Sequence, residues 1–468
     1  MTSRETTTAG TTSAGTTIAA AVCREFGAPL LIEQLRLANP GPGEVMVRMS
    51  ATAMRHSDTR TPRVAGAVSC LRSTGTFVVG NPPPRWGGRY FIFVELTTDS
   101  GVTGIGEIYT ATVSPHVVAT IAEEIADRHL IGREPFGIEA MWREIYSRGF
   151  ALRPDLTLGG VVSGLEMACW DIIGKEAGQP VYNLLGGKVH ERLRTYTYLY
   201  PPPELDVCTD HPVYTDPGTA AEAAVLEVER GFTAIKFDPA GPYTVYGGHQ
   251  PTLQMIEQSV GMVAAVREAV GSRADILFGT HGQFSAAGAI RLAKRLEQFD
   301  PLWFEEPVPP DNVEQTAVVA KATSIPIAAG ERLTTKYEFA RLLAAGGAAI
   351  LQPNLGRCGG ILEAKKIAAI AEVHGAQIAP HLYCGPIVGA ANIQLAACTP
   401  NFLILESIGP WDGFQAELLK TPTTWEDGYA VPPTAPGLGV ELDEVVALAH
   451  PYSGSELHVE MSERPIAD

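Results

Sequence analysis

From about residue 192 onward, short apolar runs alternate with amphipathic stretches that have helical periodicity, for example at 286–298, 336–345 and 364–373. The eight runs predicted as strands are Arg194–Tyr198, Ala234–Asp238, Asp275–Gly279, Leu302–Glu305, Ile325–Ala328, Ala349–Gln352, Gln377–Ala379 and Phe402–Leu405. Eight strands with helices between them predict an α/β fold containing a (β/α)8-type barrel. An open doubly wound sheet is the alternative, but such a sheet seldom carries many polar side chains at its strand ends.

Upstream of this region, residues 66–190 have a different pattern, in which strands precede helices. Tyr90–Thr97 is strand-like, and 115–130 and 139–148 have helical periodicity. This order predicts a small α+β domain. We interpret Asp171, on a further helical stretch of this domain, as a structural acid on a packed helix.

Composition limits the classes of binding partner and the cellular compartment that are expected. A formal net charge of −17 argues against binding to nucleic acid or to an anionic membrane, because both favour a basic surface. The seven cysteines are scattered without a CxxC pair, so neither a disulfide framework nor a structural zinc site is predicted. No stretch has the signature of a signal peptide or a membrane span. These features predict a cytoplasmic protein.

Polar side chains follow the predicted barrel strands at regular spacing. They are Lys236, Asp238, His281, Glu305, Glu331, Asn354, His381 and Glu406, and the successive gaps from His281 are 24, 26, 23, 27 and 25 residues. Core packing does not explain ionisable groups at the same point of consecutive repeats, because unpaired buried charge is costly. Active sites of such barrels lie at the C-terminal ends of the strands, so the pattern predicts a catalytic site there.

Two of these residues predict a metal site. Glu305 and Glu331 end consecutive buried strands and offer hard oxygen ligands, which suit Mg2+. Zinc is not favoured, because no Cys/His cluster has ligand spacing.

The remaining groups predict proton-transfer chemistry. Lys236 and Asp238 are two positions apart on one strand and therefore face the same side. His281 and His381 follow the third and seventh strands and would face each other across the barrel mouth. This arrangement suits removal of a proton next to a carboxylate, in which the metal stabilises an enediolate and a histidine or lysine takes the proton.

Residues 18–60 resemble the first strands of a zinc-dependent alcohol dehydrogenase, up to Met54-Arg55-His56-Ser57-Asp58. In that family a zinc-ligating cysteine precedes the corresponding histidine, and here the position is Arg55, which cannot bind zinc. No GxGxxG motif follows a strand with an acidic residue beyond it. We therefore interpret 18–62 as a truncated remnant without function and expect no oxidoreductase activity.

The chain from about 66 to its end resembles the enolase superfamily, in its mandelate racemase/muconate lactonizing enzyme branch, and within that branch the galactonate dehydratase type. The motifs are Trp170-Asp171 with Gly174-Lys175, Leu184-Leu185-Gly186-Gly187, Phe304-Glu305-Glu306-Pro307, Ala329-Gly330-Glu331-Arg332, Gln352-Pro353-Asn354 and Ala379-Pro380-His381. The resemblance implies a barrel at 191–410 with a capping domain at 66–190 that the segment 411–468 completes. It also implies Mg2+, a sugar-acid substrate and a homo-oligomer. Residues 1–17 are expected to be a disordered tail.

Carried over by position, the resemblance makes Glu305 and Glu331 the second and third metal ligands. The other implied roles are a general acid/base for His381, the second histidine of the galactonate dehydratase type for His281, the first lysine of a pair for Lys236, and a group that holds the substrate or the enediolate oxygen for Glu406.

The sequence departs from the family pattern at the first metal ligand. The third strand of the family ends in a ligating aspartate, and here the equivalent residue is Gly279. Because two carboxylates alone bind Mg2+ weakly, a replacement ligand is needed. Asp238 is our candidate, in place of the second lysine of the pair, and His281 is the second choice.

Asn354 is another departure, since it stands where the family has an aspartate hydrogen-bonded to the seventh-strand histidine. An amide can orient His381 but cannot stabilise its imidazolium by charge, so the pKa of His381 should be raised less. His381 would then act as an acid or hydrogen-bond donor, and the base would be His281 or Lys236.

The resemblance thus predicts a Mg2+-dependent acid-sugar dehydratase. The alternatives are a racemase, epimerase or cycloisomerase of the same superfamily, which shares the proton abstraction, and a non-catalytic sugar-acid binder.

Overall fold

The structure is a computed structural model, which describes residues 16–22, 31–37, 69–82, 88–110, 112–150, 152–202, 211–241, 243–454, 456–457 and 461–466. The chain divides into two units, Met1–Val68 and Ser69–Asp468. In the first unit, strands β1 (Thr16–Val22) and β2 (Leu31–Leu37) pair as an antiparallel hairpin. The predicted tail 1–17 therefore ends too late, because β1 begins at Thr16. The motif around His56 lies outside the described residues.

The second unit begins with an α+β domain, as predicted. Its antiparallel sheet has the order β3 (Leu71–Gly80), β4 (Tyr90–Thr98) and β5 (Thr103–Ile108). Its helices are α1 (Pro115–His129), α2 (Ile138–Ser147), α3 (Leu156–Ala177) and α4 (Val181–Leu184). Strand β5 packs so closely on α3 that a Cβ at Gly106 would lie 1.9 Å from the carbonyl oxygen of Gly164. Only glycine permits this approach.

Helix α3 forms the core of this capping domain. It is long and apolar enough to cross a membrane, but 72% of its most apolar 18-residue stretch is buried inside the fold. Asp155 caps its first turn, and Gly178 in the left-handed conformation ends it. Asp171 is fully buried and accepts hydrogen bonds from Lys175 Nζ at 2.6 Å and Leu438 N at 2.8 Å. Its interpretation as a structural acid is therefore confirmed.

The barrel follows the capping domain. Its strands are β6 (Leu193–Tyr198), β7 (Ala234–Phe237), β8 (Asp275–Phe278), β9 (Trp303–Glu305), β10 (Ile327–Ala329), β11 (Ile350–Leu351), β12 (Gln377–Ile378) and β13 (Leu405–Ser407). Neighbours pair in parallel from β6 to β12, and β13 pairs with β6. Between β12 and β13 the ring closes through a hydrogen bond from Leu403 N to Ile378 O at 2.8 Å. The open sheet is therefore excluded. Strand β13 starts three residues later than predicted, because Phe402 bridges to Ile378 of β12 before β13 reaches β6.

Helices cover the outside of the barrel. They are α5 (Pro217–Glu229), α6 (Leu253–Val270), α7 (Ala286–Leu296), α8 (Val313–Ala322), α9 (Thr335–Ala345), α10 (Ile361–Val373) and α11 (Pro386–Ala397). The barrel interior is filled by one buried side chain from each strand region, namely Tyr196, Ala234, Leu277, Trp303, Ala328, Ile350, Ala379 and Ile404. This apolar layer closes the bottom of the mouth.

The C-terminal segment returns to the capping domain, as predicted. Its elements are α12 (Gly413–Glu417), β14 (Trp425–Glu426), β15 (Tyr429–Ala430) and α13 (Glu444–Ala449). Strand β15 first extends the barrel by pairing with β6. The chain then reaches β3, where Tyr452 N donates to Val78 O at 2.9 Å. No disulfide joins the described cysteines.

Candidate active site

Strand alternation brings a second ring of side chains to the barrel mouth, two positions beyond the apolar layer. The ring consists of Tyr198, Lys236, Gly279, Glu305, Gly330, Gln352, His381 and Glu406. Four of these were predicted as site residues from the sequence. The two glycines leave space in the ring, and the predicted Asp238, His281, Glu331 and Asn354 lie around it.

Lys236 sits at the centre of the carboxylates. Its Nζ donates to Glu305 Oε1 at 2.6 Å and to Glu406 Oε1 at 3.3 Å. Burial alone would lower the pKa of Lys236, but the charges of Glu305 and Glu406 raise it well above its ordinary value. The amine is therefore protonated and presents a buried positive charge to the mouth.

Glu406 faces the same ammonium group. Its Oε2 accepts a hydrogen bond from Leu382 N at 2.7 Å. Burial raises the pKa of Glu406 to about 7. The positive charge of Lys236 opposes this shift, and the negative charge of Glu305 adds to it. A carboxyl group in this state can exchange protons and hydrogen bonds with a ligand near neutral pH.

Asn354 sets the tautomer of His381. Asn354 Oδ1 accepts a hydrogen bond from Gly356 N at 2.8 Å, which turns Nδ2 towards His381 Nδ1, also at 2.8 Å. Because the amide nitrogen donates, Nδ1 is an acceptor and the neutral ring carries its proton on Nε2. Burial lowers the pKa of His381 to about 3. His381 thus presents an N–H donor to the mouth.

Glu331 lies between the two histidines. Its Oε2 is 3.2 Å from His381 Nε2, and its Oε1 is 3.9 Å from His281 Nε2. Burial opposes ionisation of Glu331, but His381, His281 and Lys236 around it hold its pKa below the usual range. Oε2 is buried, and although His381 Nε2 is close to it, no hydrogen bond of good geometry reaches it from the residues that the structure describes. This oxygen is available to a ligand.

His281 is held at its other ring nitrogen. Nδ1 lies 3.1 Å from Asp238 Oδ2 and 2.7 Å from the Tyr243 hydroxyl, so Nε2 faces Glu331. A carboxylate only accepts hydrogen bonds, so Nδ1 carries the proton. Burial works against the imidazolium, yet Glu331 and Asp238 raise the pKa of His281 to about 9. Asp238 and His281 thus form a carboxylate–histidine pair just after β7 and β8. The histidine after the seventh strand, His381, is instead paired with the amide of Asn354.

At Gly279 the third strand supplies no ligand. A Cβ there would lie 3.4 Å from Lys236 Cε, so the lysine stem runs beside the position of the usual aspartate. Asp238 Oδ1 accepts from Ala240 N at 3.2 Å and Oδ2 pairs with His281, so both of its oxygens already have partners. Among the described residues, no three His, Cys, Asp or Glu side chains are arranged to hold a metal ion.

The donor chemistry nevertheless fits Mg2+. Glu305 and Glu331 offer buried carboxylate oxygens, and one oxygen of the ionised Glu331 has no well-aligned hydrogen bond from the described residues. Each carboxylate oxygen can accept more than one partner, so the contacts of Glu305 and Asp238 do not exhaust them.

Glu306 turns away from the ring. Its backbone has φ +36°, which bends the chain sharply after β9. Its Oε2 accepts from Arg332 Nε at 2.7 Å. The pair ties the turn after β9 to the turn after β10 and so supports Glu305 and Glu331.

Some candidate residues were not identified from the sequence. Tyr198 and Tyr200 line the first strand, and the tyrosine at every second position of 196–200 could have signalled an inward face. Gln352 is fully buried, and neither atom of its amide has a hydrogen-bond partner among the described residues. Tyr243 lies in a long loop after β7 and carries no sequence signal of its own.

Comparison with known proteins agrees with this geometry. Residues 219–446 match the model of the enolase C-terminal domain-like family, and residues 86–186 match that of the mandelate racemase/muconate lactonizing enzyme N-terminal domain. The chain belongs to this family. The resemblance inferred from the strand-tip motifs is therefore confirmed.

Several family members are similar over most of their length. The chain is 37% identical to a D-galactonate dehydratase of Ralstonia pickettii, covering 78% of this chain and 91% of the relative. It is 32% identical to a D-xylonate dehydratase of Haloferax volcanii, covering 91% and 99%. A solved mandelate racemase/muconate lactonizing enzyme from Sulfitobacter sp. is 56% identical, with a TM-score of 0.83 and coverage of 86% and 100%.

Proposed function

We propose that this protein is an acid-sugar dehydratase, a hydro-lyase that removes water from an aldonic or aldaric acid through an enediolate. The observation that carries the proposal is the pair of histidines with opposite roles, His281 backed by a carboxylate and His381 held as an N–H donor, on either side of Glu331. The dehydratase names of two relatives support the substrate class.

Mg2+ would be held by Glu305, Glu331 and, in place of the missing aspartate, Asp238. When bound, it would stabilise the negative charge of the enediolate. Lys236 adds a fixed positive charge, which would bind the substrate carboxylate beside Glu305 and Glu406.

Proton transfers would be divided between the two histidines. His281 Nε2 would take the proton from the carbon next to the carboxylate, while Asp238 and Tyr243 hold the opposite nitrogen. This role requires the neutral imidazole, which Mg2+ held by Glu331 and Asp238 would favour by offsetting the two charges that raise the pKa of His281. His381 Nε2 would then give its proton to the leaving hydroxyl, whose C–O bond breaks as water departs. The proton that His281 took from carbon would afterwards restore neutral His381, so that the cycle consumes no net proton. Lys236 is the second candidate for the base, but its contacts with two carboxylates favour the binding role.

The other hydroxyl groups of a sugar acid would be bound by the polar ring. The unsatisfied amide of Gln352 provides one donor and one acceptor facing the barrel interior. Glu406, with its raised pKa, offers a further acceptor or donor. A polyhydroxy acid therefore suits this mouth better than an apolar acid.

The direct test is incubation of the purified protein with a library of aldonic and aldaric acids in Mg2+, followed by product analysis. A 2-keto-3-deoxy product would support dehydration. An isomeric product would instead indicate a racemase, an epimerase or a cycloisomerase. Retained binding without turnover of any compound would indicate a sugar-acid binder.

Asp238→Asn should weaken Mg2+ binding by about tenfold or more, because it removes one of three proposed anionic ligands. Isothermal titration calorimetry measures the affinity. Tyr243→Phe is the control, since it disturbs the same nitrogen of His281 without removing a carboxylate, and its Mg2+ affinity should be unchanged. An unchanged affinity in Asp238→Asn would show that Asp238 is not a ligand and serves only His281.

We also propose where the enzyme works and what it binds. The net charge of −17 and the scattered cysteines support a cytoplasmic enzyme whose partner is a small-molecule sugar acid. Self-association into a homo-oligomer is proposed from the family resemblance.

A further inference from the structure

The last residues of β5 and its extension connect the capping domain to the barrel mouth. Glu107 is fully buried, and its two carboxylate oxygens accept hydrogen bonds from Gly385 N and, at 2.9 Å, from Val388 N. These two N–H groups belong to the first turn of α11, which follows the loop of His381. Glu107 therefore caps a barrel helix with a side chain that lies 278 positions away in sequence from its first partner.

Tyr109, two residues further on, contacts the neighbouring barrel loop. Its backbone N–H donates to Gly356 O at 2.9 Å, and Arg357 lies over its ring at 4.0 Å. Gly356 is the residue whose N–H fixes the amide of Asn354. The end of β5 thus touches both loops that carry the Asn354–His381 pair.

The close approach on both sides requires glycine. A Cβ at Gly385 would lie 2.8 Å from Glu107 Oε1, and a Cβ at Gly356 would lie 2.9 Å from Tyr109 Cβ. Larger residues at these positions would push the capping strand away from the loops.

The loop between His381 and α11 has few other fixed points. Leu382 N donates to Glu406, Asn392 Nδ2 donates to the carbonyl of His381 at 3.1 Å, and Cys384 accepts from Asn354 Nδ2 at its thiol and from Gln415 Nε2 at its carbonyl, each at 3.3 Å. The bonds from Glu107 anchor the far end of this loop. Without them, rotation of the first turn of α11 would shift Cys384 and with it the imidazole that Asn354 holds.

We propose that Glu107 is a positioning residue, which acts from the capping domain through α11 to hold His381 in the orientation and tautomer needed for proton donation. The role of His381 as donor rests on the proposed function, whereas the positioning itself concerns the loop and the ring. Capping-domain integrity would then control turnover and not only substrate entry.

The test compares Glu107→Gln with Asp171→Asn. Both residues are fully buried capping-domain carboxylates that accept backbone N–H groups, but Asp171 binds Leu438 N and Ile105 N, which lie outside the catalytic loops. Glu107→Gln should lower kcat about 10- to 100-fold with KM changed less than about threefold, because a displaced proton donor costs rate and not binding. Asp171→Asn should lower Tm comparably and leave kcat within about threefold.

A second measurement needs no substrate. Long-range 1H–15N spectra of histidine-labelled protein, assigned with His381→Asn, should show His381 as the Nε2–H tautomer in the wild type and as a mixture in Glu107→Gln. Hydrogen exchange of 382–388 should accelerate about tenfold in the same variant. Glu107→Asp, which keeps the charge, should give intermediate values if Glu107→Gln folds poorly.

Three results would overturn the proposal. They are an unchanged His381 tautomer in Glu107→Gln, a loss of kcat no larger than that of Asp171→Asn at equal Tm, and a loss confined to KM. Absence of turnover in the wild type would contradict the proposed function alone, because the tautomer and the exchange rates still report on positioning.

Discussion

Lys236→Met is expected to lower kcat/KM for the sugar-acid substrate by about 10³-fold or more, because the mouth loses the positive charge that faces the substrate carboxylate. The ammonium group also neutralises Glu305 and Glu406, at 2.6 and 3.3 Å. Without it, these two buried carboxylates and the substrate carboxylate would repel one another. The free energy of unfolding should fall by about 3–5 kcal/mol, as for other broken buried ion pairs. Steady-state kinetics and denaturant unfolding measure the two effects.

Lys336→Met is the matched control for this variant. Lys336 is partly buried and pairs with the buried Glu363 at 3.0 Å, but it lies outside the barrel mouth. Its loss should reduce stability while kcat/KM stays within about threefold. Lys236→Met protein that is folded and retains more than about a tenth of wild-type kcat/KM would rule out the proposed role of Lys236.

His281→Asn is expected to reduce turnover by about 10²- to 10⁴-fold, the usual contribution of a general base. It should also abolish exchange of the hydrogen next to the substrate carboxylate with solvent deuterium, because no group remains to remove that proton. His381→Asn should behave differently. Exchange should continue in that variant, because His281 is intact, while elimination of water stops for lack of a proton donor. NMR of the substrate in D2O follows both reactions.

The two histidine variants together show which residue removes the proton from carbon and which residue gives a proton to the leaving hydroxyl. Exchange that persists in His281→Asn would assign proton removal to Lys236 instead. Loss of exchange in both variants would mean that His381 takes part in proton removal, contrary to its tautomer in the structure.

Much of the fold could be predicted because its helices and strands follow from the periodicity of apolar residues that are close in sequence. Each barrel strand is a short apolar run, and each of the eight predicted strands overlaps a strand in the structure. The helix predicted at 115–130 lies at Pro115–His129, since period and stop signals are local properties. The prediction for the last barrel strand was the least accurate. Phe402 and Leu403 contact Ile378 of β12 across the closure, and this pairing depends on a partner outside the local sequence pattern.

The candidate site residues were predicted for a related reason. Parallel strands deliver their last residues to one edge, so regular spacing from His281 to Glu406 was enough to gather the polar ring. Spacing does not state which oxygen meets which nitrogen. The contact of Asp238 with His281, across 43 positions, and the arrival of Tyr243 from a loop depend on side-chain rotamers and on the loop path.

The barrel, the capping domain and the set of chemical groups at the strand tips could be predicted from the sequence, because hydrophobic periodicity and strand alternation are local. How those groups are paired is visible only in the folded structure. Lys236 pairs with Glu305, Asp238 pairs with His281, and Asn354 donates to His381 and so sets its tautomer. It also decided that Glu107 caps α11. These contacts join residues far apart in the chain, and their burial fixes the charge and proton state of each group.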